Sequence, residues 1–96
     1  MAIDRALRQA RELRNAQEKR QALYDYKVRV GCVDCGYNAH PAALEFDHLP
    51  GFEKSANVMA LCYRSWDAIW SEVAKCEVVC SNCHSIRTYN RNNLAP

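Results

Sequence analysis

Two periods govern the apolar positions of this chain. The segment 4–27 is rich in Ala, Leu, Arg, Gln and Glu and holds no Gly or Pro, so it reads as one helix with Asp4 as N-cap. Its stripe is thin: Ile3, Leu7, Ala10 and Leu13 recur at helical spacing, and Leu23, Tyr24 and Tyr26 thicken it near the end. The first three turns should therefore project from the core, or pack on a partner chain or DNA. Leu44-Glu45-Phe46-Asp47-His48 alternates apolar and polar residues, as a short strand does, and Pro50-Gly51 turns the chain after it. Residues 52–64 show no clear period. Ser65 then caps a helix at about 66–75, with Trp66, Ile69, Trp70 and Val73 on one face; this spacing suggests core packing more than a base-stacking platform. Glu77-Val78-Val79 reads as a second short strand, and a last helix spans about Asn82 to Arg91. The expected fold class is α+β.

The chain has 96 residues, enough for one domain but with little core, so a metal or disulfide staple is expected. Six cysteines are present. Cys32-Val33-Asp34-Cys35 and Cys80-Ser81-Asn82-Cys83 are C-x2-C pairs, the spacing of metal ligands. Four thiolates suit tetrahedral zinc in a closed structural site with no open coordination position. The N-terminal stretch is charged and resembles no export signal, so a reducing cytoplasm is expected, where zinc is favoured over disulfides. Cys80-Ser81-Asn82-Cys83-His84 also fits haem attachment, but that requires export and orphans Cys32 and Cys35. Cys62 and Cys76 are spare and read as small buried apolar residues, although Cys76 could join Cys80 in another ligand set. The pairs are 44 residues apart (36–79), far beyond the roughly 15–20 of an ordinary ribbon, so a site can be built between them.

Charge is unevenly spread. Residues 1–29 carry eight Lys and Arg against four acids, and the remainder five against seven. The basic end suits a polyanion, although a solvated helix with incidental excess charge has the same composition.

Asp47-His48 closes the first strand, and His84 follows the last paired cysteine. If zinc clamps the final helix onto the two strands, these three side chains can converge in one cleft. A carboxylate and an imidazole can hold a divalent cation, and a second, free imidazole can deprotonate water. That is a phosphodiester hydrolase in outline. Each residue alone is ordinary: Asp-His pairs are common on surfaces, and a histidine beside a zinc knuckle often only supports the ligands. His40, next to Pro41, reads as structural or as a helper near the knuckle.

The segments Gly31-Cys32-Val33-Asp34-Cys35-Gly36, Leu44-Glu45-Phe46-Asp47-His48 and Val79-Cys80-Ser81-Asn82-Cys83-His84 together resemble the HNH endonucleases with a four-cysteine zinc site. Small phage-encoded members, including nicking enzymes, are the nearest likeness, over residues 30–91. The resemblance implies a ββα-metal domain at 30–96 behind a basic helix at 1–29. It implies His48 as general base, Asp47 and His84 as ligands of a catalytic Mg2+ or Mn2+, and Cys32, Cys35, Cys80 and Cys83 as ligands of structural zinc. Two departures stand out. Lys75 occupies the place where the family carries an asparagine that props the loop orienting the base, so Lys75 should take over that task or reach a phosphate. Thr88 occupies the place of a second metal histidine, which leaves the metal two protein ligands plus water and phosphate.

The partner so implied is double-stranded DNA. Arg87 and Arg91, at i and i+4 on the final helix, would contact phosphates with Lys54 and Lys75, and Arg8 and Arg11 would extend the footprint. Such contacts carry affinity without a sequence code. A monomer should nick, whereas a homodimer through the N-terminal helix could cut both strands. Two further readings are a zinc-ribbon DNA-binding module without chemistry and an accessory protein acting with phage packaging proteins.

Overall fold

The computed structural model describes residues 2–93, with Met1 and residues 94–96 of the expected C-terminal unit outside it. In chain order the elements are α1 (Ala2–Val30), β1 (Leu44–His48), α2 (Trp66–Val73), β2 (Cys76–Cys80) and α3 (Ser81–Asn93). Two 3-10 turns, Pro41–Ala43 and Val58–Tyr63, precede β1 and α2. The fold is α+β, with one two-stranded antiparallel sheet. No helix among the described residues is long and apolar enough to cross a membrane.

Helix α1 begins earlier than its apolar stripe suggests. Asp4 consequently sits in the first turn, where a carboxylate favours the helix dipole, rather than at the N-cap. The helix ends at Gly31, whose φ of 74° and N–H bond to the Lys27 carbonyl form a left-handed cap. Ile3, Leu7 and Leu13 are exposed, and burial starts at Ala16. The first turns thus project, giving the molecule extents of 60 × 29 × 18 Å. The second half of α1 belongs to the core: Ala16 and Leu23 pack with Val58, Cys62, Ile69 and Val73. A second cluster, Cys32, Leu44, Val78, Val79 and Cys80, surrounds the sheet. Tyr26 and Phe46, stacked 6.1 Å apart, touch both clusters.

Strand pairing sets Leu44 opposite Cys80, Phe46 opposite Val78 and Asp47 opposite Glu77. Successive residues of a strand face opposite sides. Leu44, Phe46 and His48 therefore face α1 and α2, while Glu45 and Asp47 face α3. Residues 52–64, without a readable period, contain the Val58–Tyr63 turn, which buries Val58 and Cys62 under α1. Ser65 caps α2 through its Oγ, which accepts from the Ala68 N–H at 3.2 Å. The two tryptophans are not core residues. They remain about 40% exposed (42% and 38%), stack on one another at 6.1 Å, and leave Ile69 and Val73 as the buried stripe.

Leu23 is fully buried where α1 meets the turn and α2. Leu23→Ala should cost about 2–4 kcal/mol, the price of a core leucine whose surroundings relax only partly. Urea denaturation of the metal-loaded chain should show the midpoint falling with little change in slope.

Candidate metal centre and polar site

The knuckle after α1 is tied to the sheet through its backbone. Cys32 N–H donates to Tyr37 O, Gly36 N–H to Cys32 O and Val33 N–H to Val78 O, all at 2.8–2.9 Å. Gly36 takes a φ of 83°, which an L side chain would strain. This turn brings Cys32 and Cys35 to Cys80, the last residue of β2, and to Cys83, in the first turn of α3. The four sulfurs lie within 4.8 Å of one another, and Cys35 Sγ is 3.7 Å from Cys80 Sγ. Tetrahedral zinc with bonds of about 2.3 Å requires sulfurs roughly 3.8 Å apart, so the cluster fits the ion. All six cysteines are free thiols, and Cys62 and Cys76 stand outside the cluster, bonded to Met59 O and Glu72 O.

The charge state of the cluster also suits a cation. Burial pushes the Cys32 thiol up, but N–H groups of Cys80, Cys35 and Asp34 outweigh it and bring it down to about 6. The neighbouring Cys80 sulfur and burial push Cys83 well above the usual thiol range. Cys32 thus ionises readily, whereas Cys83 needs a compensating positive charge to do so.

Because α3 starts immediately after β2, His84, Arg87 and Arg91 lie along the α3 face that covers Glu45 and Asp47. His84 Nδ1 is 2.6 Å from Glu45 Oε1, and His84 Nε2 is 3.5 Å from Asp47 Oδ1. Glu45 also accepts from Ser81 Oγ at 3.3 Å. Asp47 is 3% exposed and accepts from Arg87 at 2.9 Å and from Arg91 at 2.9 and 2.8 Å. Burial would raise the Asp47 carboxyl, but Arg91 and Arg87 hold it below the usual carboxylate range. Arg87 additionally grips Asp34 with two bonds of 2.7 Å and Glu77 at 3.1 Å. It thus offsets the repulsion of two acids set directly opposite in the sheet.

His48 stands on the other face. Its Nε2 is 2.8 Å from Glu72 Oε2, a carboxylate on α2 that is 3% exposed. Glu72 also accepts from Lys75 Nζ at 3.0 Å and from the Ser55 N–H at 3.0 Å. Lys75 spends its other two donors on Glu53 O at 2.8 Å and Ser55 Oγ at 3.1 Å. It therefore props the loop after β1 and directs no donor outward. Burial pushes Glu72 up, yet Lys75, His48 and the N–H groups of Ser55 and Ala56 bring it down to about 2.

The structure thus brings Asp47 and His84 together and sets His48 across the strand from them. Arg87 and Arg91 lie on Asp47, whereas Lys54, Arg8 and Arg11 are exposed. His40 caps the Pro41–Ala43 turn, its Nδ1 accepting from the Ala42 N–H at 3.0 Å. Sequence reasoning missed Glu45, Glu72 and Asp34. Glu45 was within reach, because it stands two residues before Asp47 in an alternating strand. No family model, curated protein or solved structure matches the chain.

Two outcomes are expected. The purified chain should carry one zinc per molecule by elemental analysis, and a strong chelator should unfold it in far-UV circular dichroism, with Cys80→Ser failing to load. Glu72 is depressed on folding, so its contribution to stability is complete above pH 4.5 and is lost as pH falls toward 2. The melting-temperature gap between wild type and Glu72→Gln should be wide at pH 6 and narrow on acidification below 4.5.

Proposed function

We propose that this chain is a metal-dependent DNA endonuclease of the ββα-metal (HNH) type. The observation that carries the reading is the Glu45–His84–Asp47 array. A histidine that binds a metal commonly has its other ring nitrogen held by a carboxylate, which fixes tautomer and orientation. With its hydrogen on Nδ1 toward Glu45, the neutral ring would turn the Nε2 lone pair toward Asp47. Two ligand atoms each about 2.1 Å from one cation stand roughly 3.0–3.4 Å apart, and the Asp47 Oδ1 to His84 Nε2 spacing is 3.5 Å. Mg2+ or Mn2+ bound there would stabilise the charge developing on a phosphodiester and its leaving oxygen.

The chain's own residues do the rest. Ionised Glu72 accepts the His48 Nε2 hydrogen, which leaves Nδ1 with the lone pair needed to take a proton from water. Asp47 and His48 face opposite sides of β1, so a scissile phosphate that reaches both must lie across the strand's end. Phosphate competes with Asp47 for planar, bidentate guanidinium donors, so Arg87 and Arg91 would turn from Asp47 to the DNA and free the carboxylate for the metal. Lys54 and the projecting arginines Arg8 and Arg11 would add contacts along the duplex, whereas Lys75 acts on the loop. Zinc in the four-cysteine cluster would have the structural task of fixing α3 against the sheet.

One observation favours a second reading, a DNA-binding module without chemistry. Asp47 is already satisfied by two arginines and needs no cation to remain buried.

Supercoiled plasmid separates the two. The zinc-loaded chain should relax it only with Mg2+ or Mn2+, and His48→Ala should slow relaxation about 100-fold or more, the scale of general-base catalysis. Asp47→Ala and His84→Ala should lose activity while retaining zinc. Equal inertness of wild type and His48→Ala in both metals, with DNA still retarded in gels, would leave the binding module.

A further inference from the structure

Every other buried charge among the described residues has an opposite charge against it. Asp47 has two arginines, and Glu72 has Lys75. Lys27 differs. It lies on α1 one turn before Gly31 and is 5% exposed. Its ammonium donates one hydrogen bond, to Leu44 O at 2.9 Å. It stands 5.2 Å from the centre of the Tyr24 ring and 5.7 Å from that of Phe46. Among the described residues no carboxylate lies within ion-pair distance of it. An ammonium carries three donors; Leu44 O takes one, and among the described residues the other two have only the Tyr24 and Phe46 rings near them. Ring faces attract a cation but replace lost hydration only in part, so its burial remains costly. Burial accordingly depresses its pKa, with the more distant Glu45 charge acting the other way.

Lys27 lines a cavity of about 160 Å³ between α1, the Leu44–Phe46–His48 face of β1 and the segment entering the Val58–Tyr63 turn. This volume equals roughly five waters at about 30 Å³ each, comparable with an oxyanion of five heavy atoms. Asn57 lines the cavity too, and its side chain is not used to cap the turn it precedes. Glu45 contributes to the wall, but its carboxylate is engaged by His84 and Ser81 on the opposite face of the strand. The polar lining is thus a nearly buried cation with one hydrogen bond, the Asn57 amide, and His48, whose Nε2 is held by Glu72.

We propose that this cavity is an oxyanion site, which takes a phosphate group on the Lys27 ammonium and the Asn57 amide. The phosphate can belong to a nucleic-acid backbone or be a free anion. The proposal does not rest on the nuclease reading, because it needs only binding and would survive a chain that cuts nothing.

The zinc-loaded full chain, isotopically labelled, tests it by amide NMR. One arm adds inorganic phosphate and the other a thymidine dinucleotide with one phosphodiester and no terminal phosphate, each against chloride at matched ionic strength. Saturable shifts should appear at residue 27, along 44–48 and at 57–59. Lys27→Met should weaken binding about tenfold or more, as loss of charge-assisted hydrogen bonds does, with zinc content unchanged. Should that variant not fold, Asn57→Ala, at an exposed position, should still weaken binding severalfold. Saturation by both probes supports a site for nucleic-acid backbone, and saturation by inorganic phosphate alone supports a site for the free anion. Shifts that track ionic strength without saturating would overturn the proposal, as would wild-type affinity in a folded variant.

Discussion

Four sulfur atoms from two C-x2-C pairs, separated by 44 intervening residues, meet where the turn after α1 reaches the end of β2 and the first turn of α3. Cys80 ends β2 and Cys83 lies in the first turn of α3, so a cation shared with Cys32 and Cys35 would leave the helix little freedom to swing. Zinc bound there would favour the ionised form of Cys83, whose thiol is otherwise pushed up, and its binding would then contribute to the folding free energy. A 96-residue chain with two small apolar clusters has few other means of holding a helix across a two-stranded sheet.

Beside the cysteine cluster runs a strand that carries a polar network on each of its two faces. Alternation along β1 sends Glu45 and Asp47 to His84, Arg87 and Arg91 on α3, and sends His48 to Glu72 on α2. Each histidine thereby has one ring nitrogen held by a carboxylate, and the other nitrogen of His84 stands 3.5 Å from Asp47. The two systems are built from partners far apart in sequence, 39 residues for Glu45–His84 and 24 for His48–Glu72. Arg87 links the knuckle to the strands by serving Asp34, Asp47 and Glu77 together.

Much of this was legible beforehand, for physical reasons. The five residues of β1 alternate strictly, Ser65 supplies a cap, and the cysteine spacing announces its ligand geometry, so strand, helix start and cluster were all readable. The start of α3 at Ser81 was less so, because β2 runs into it with no turn residue between. The Val58–Tyr63 turn has no period to detect and exists through its contacts with α1. Lys27 and Glu72 are charges on buried helix faces, and an apolar pattern cannot register a charge whose acceptor or donor lies elsewhere in the chain. Trp66 and Trp70 show the converse: their spacing matches a core stripe, but Ile69 and Val73 fill the available depth, and the larger rings stack at the rim.

The proposed cleavage chemistry requires a cation site between Asp47 and His84. Crystals of the zinc-loaded chain with Mn2+ and a short DNA duplex, measured for anomalous scattering at both metal edges, test this directly. Zinc should lie among the four sulfurs, manganese should lie between Asp47 Oδ1 and His84 Nε2, and Arg87 and Arg91 should have turned to phosphate. Zinc in place, DNA bound, and Asp47 still held by both arginines with no manganese beside it would contradict the account.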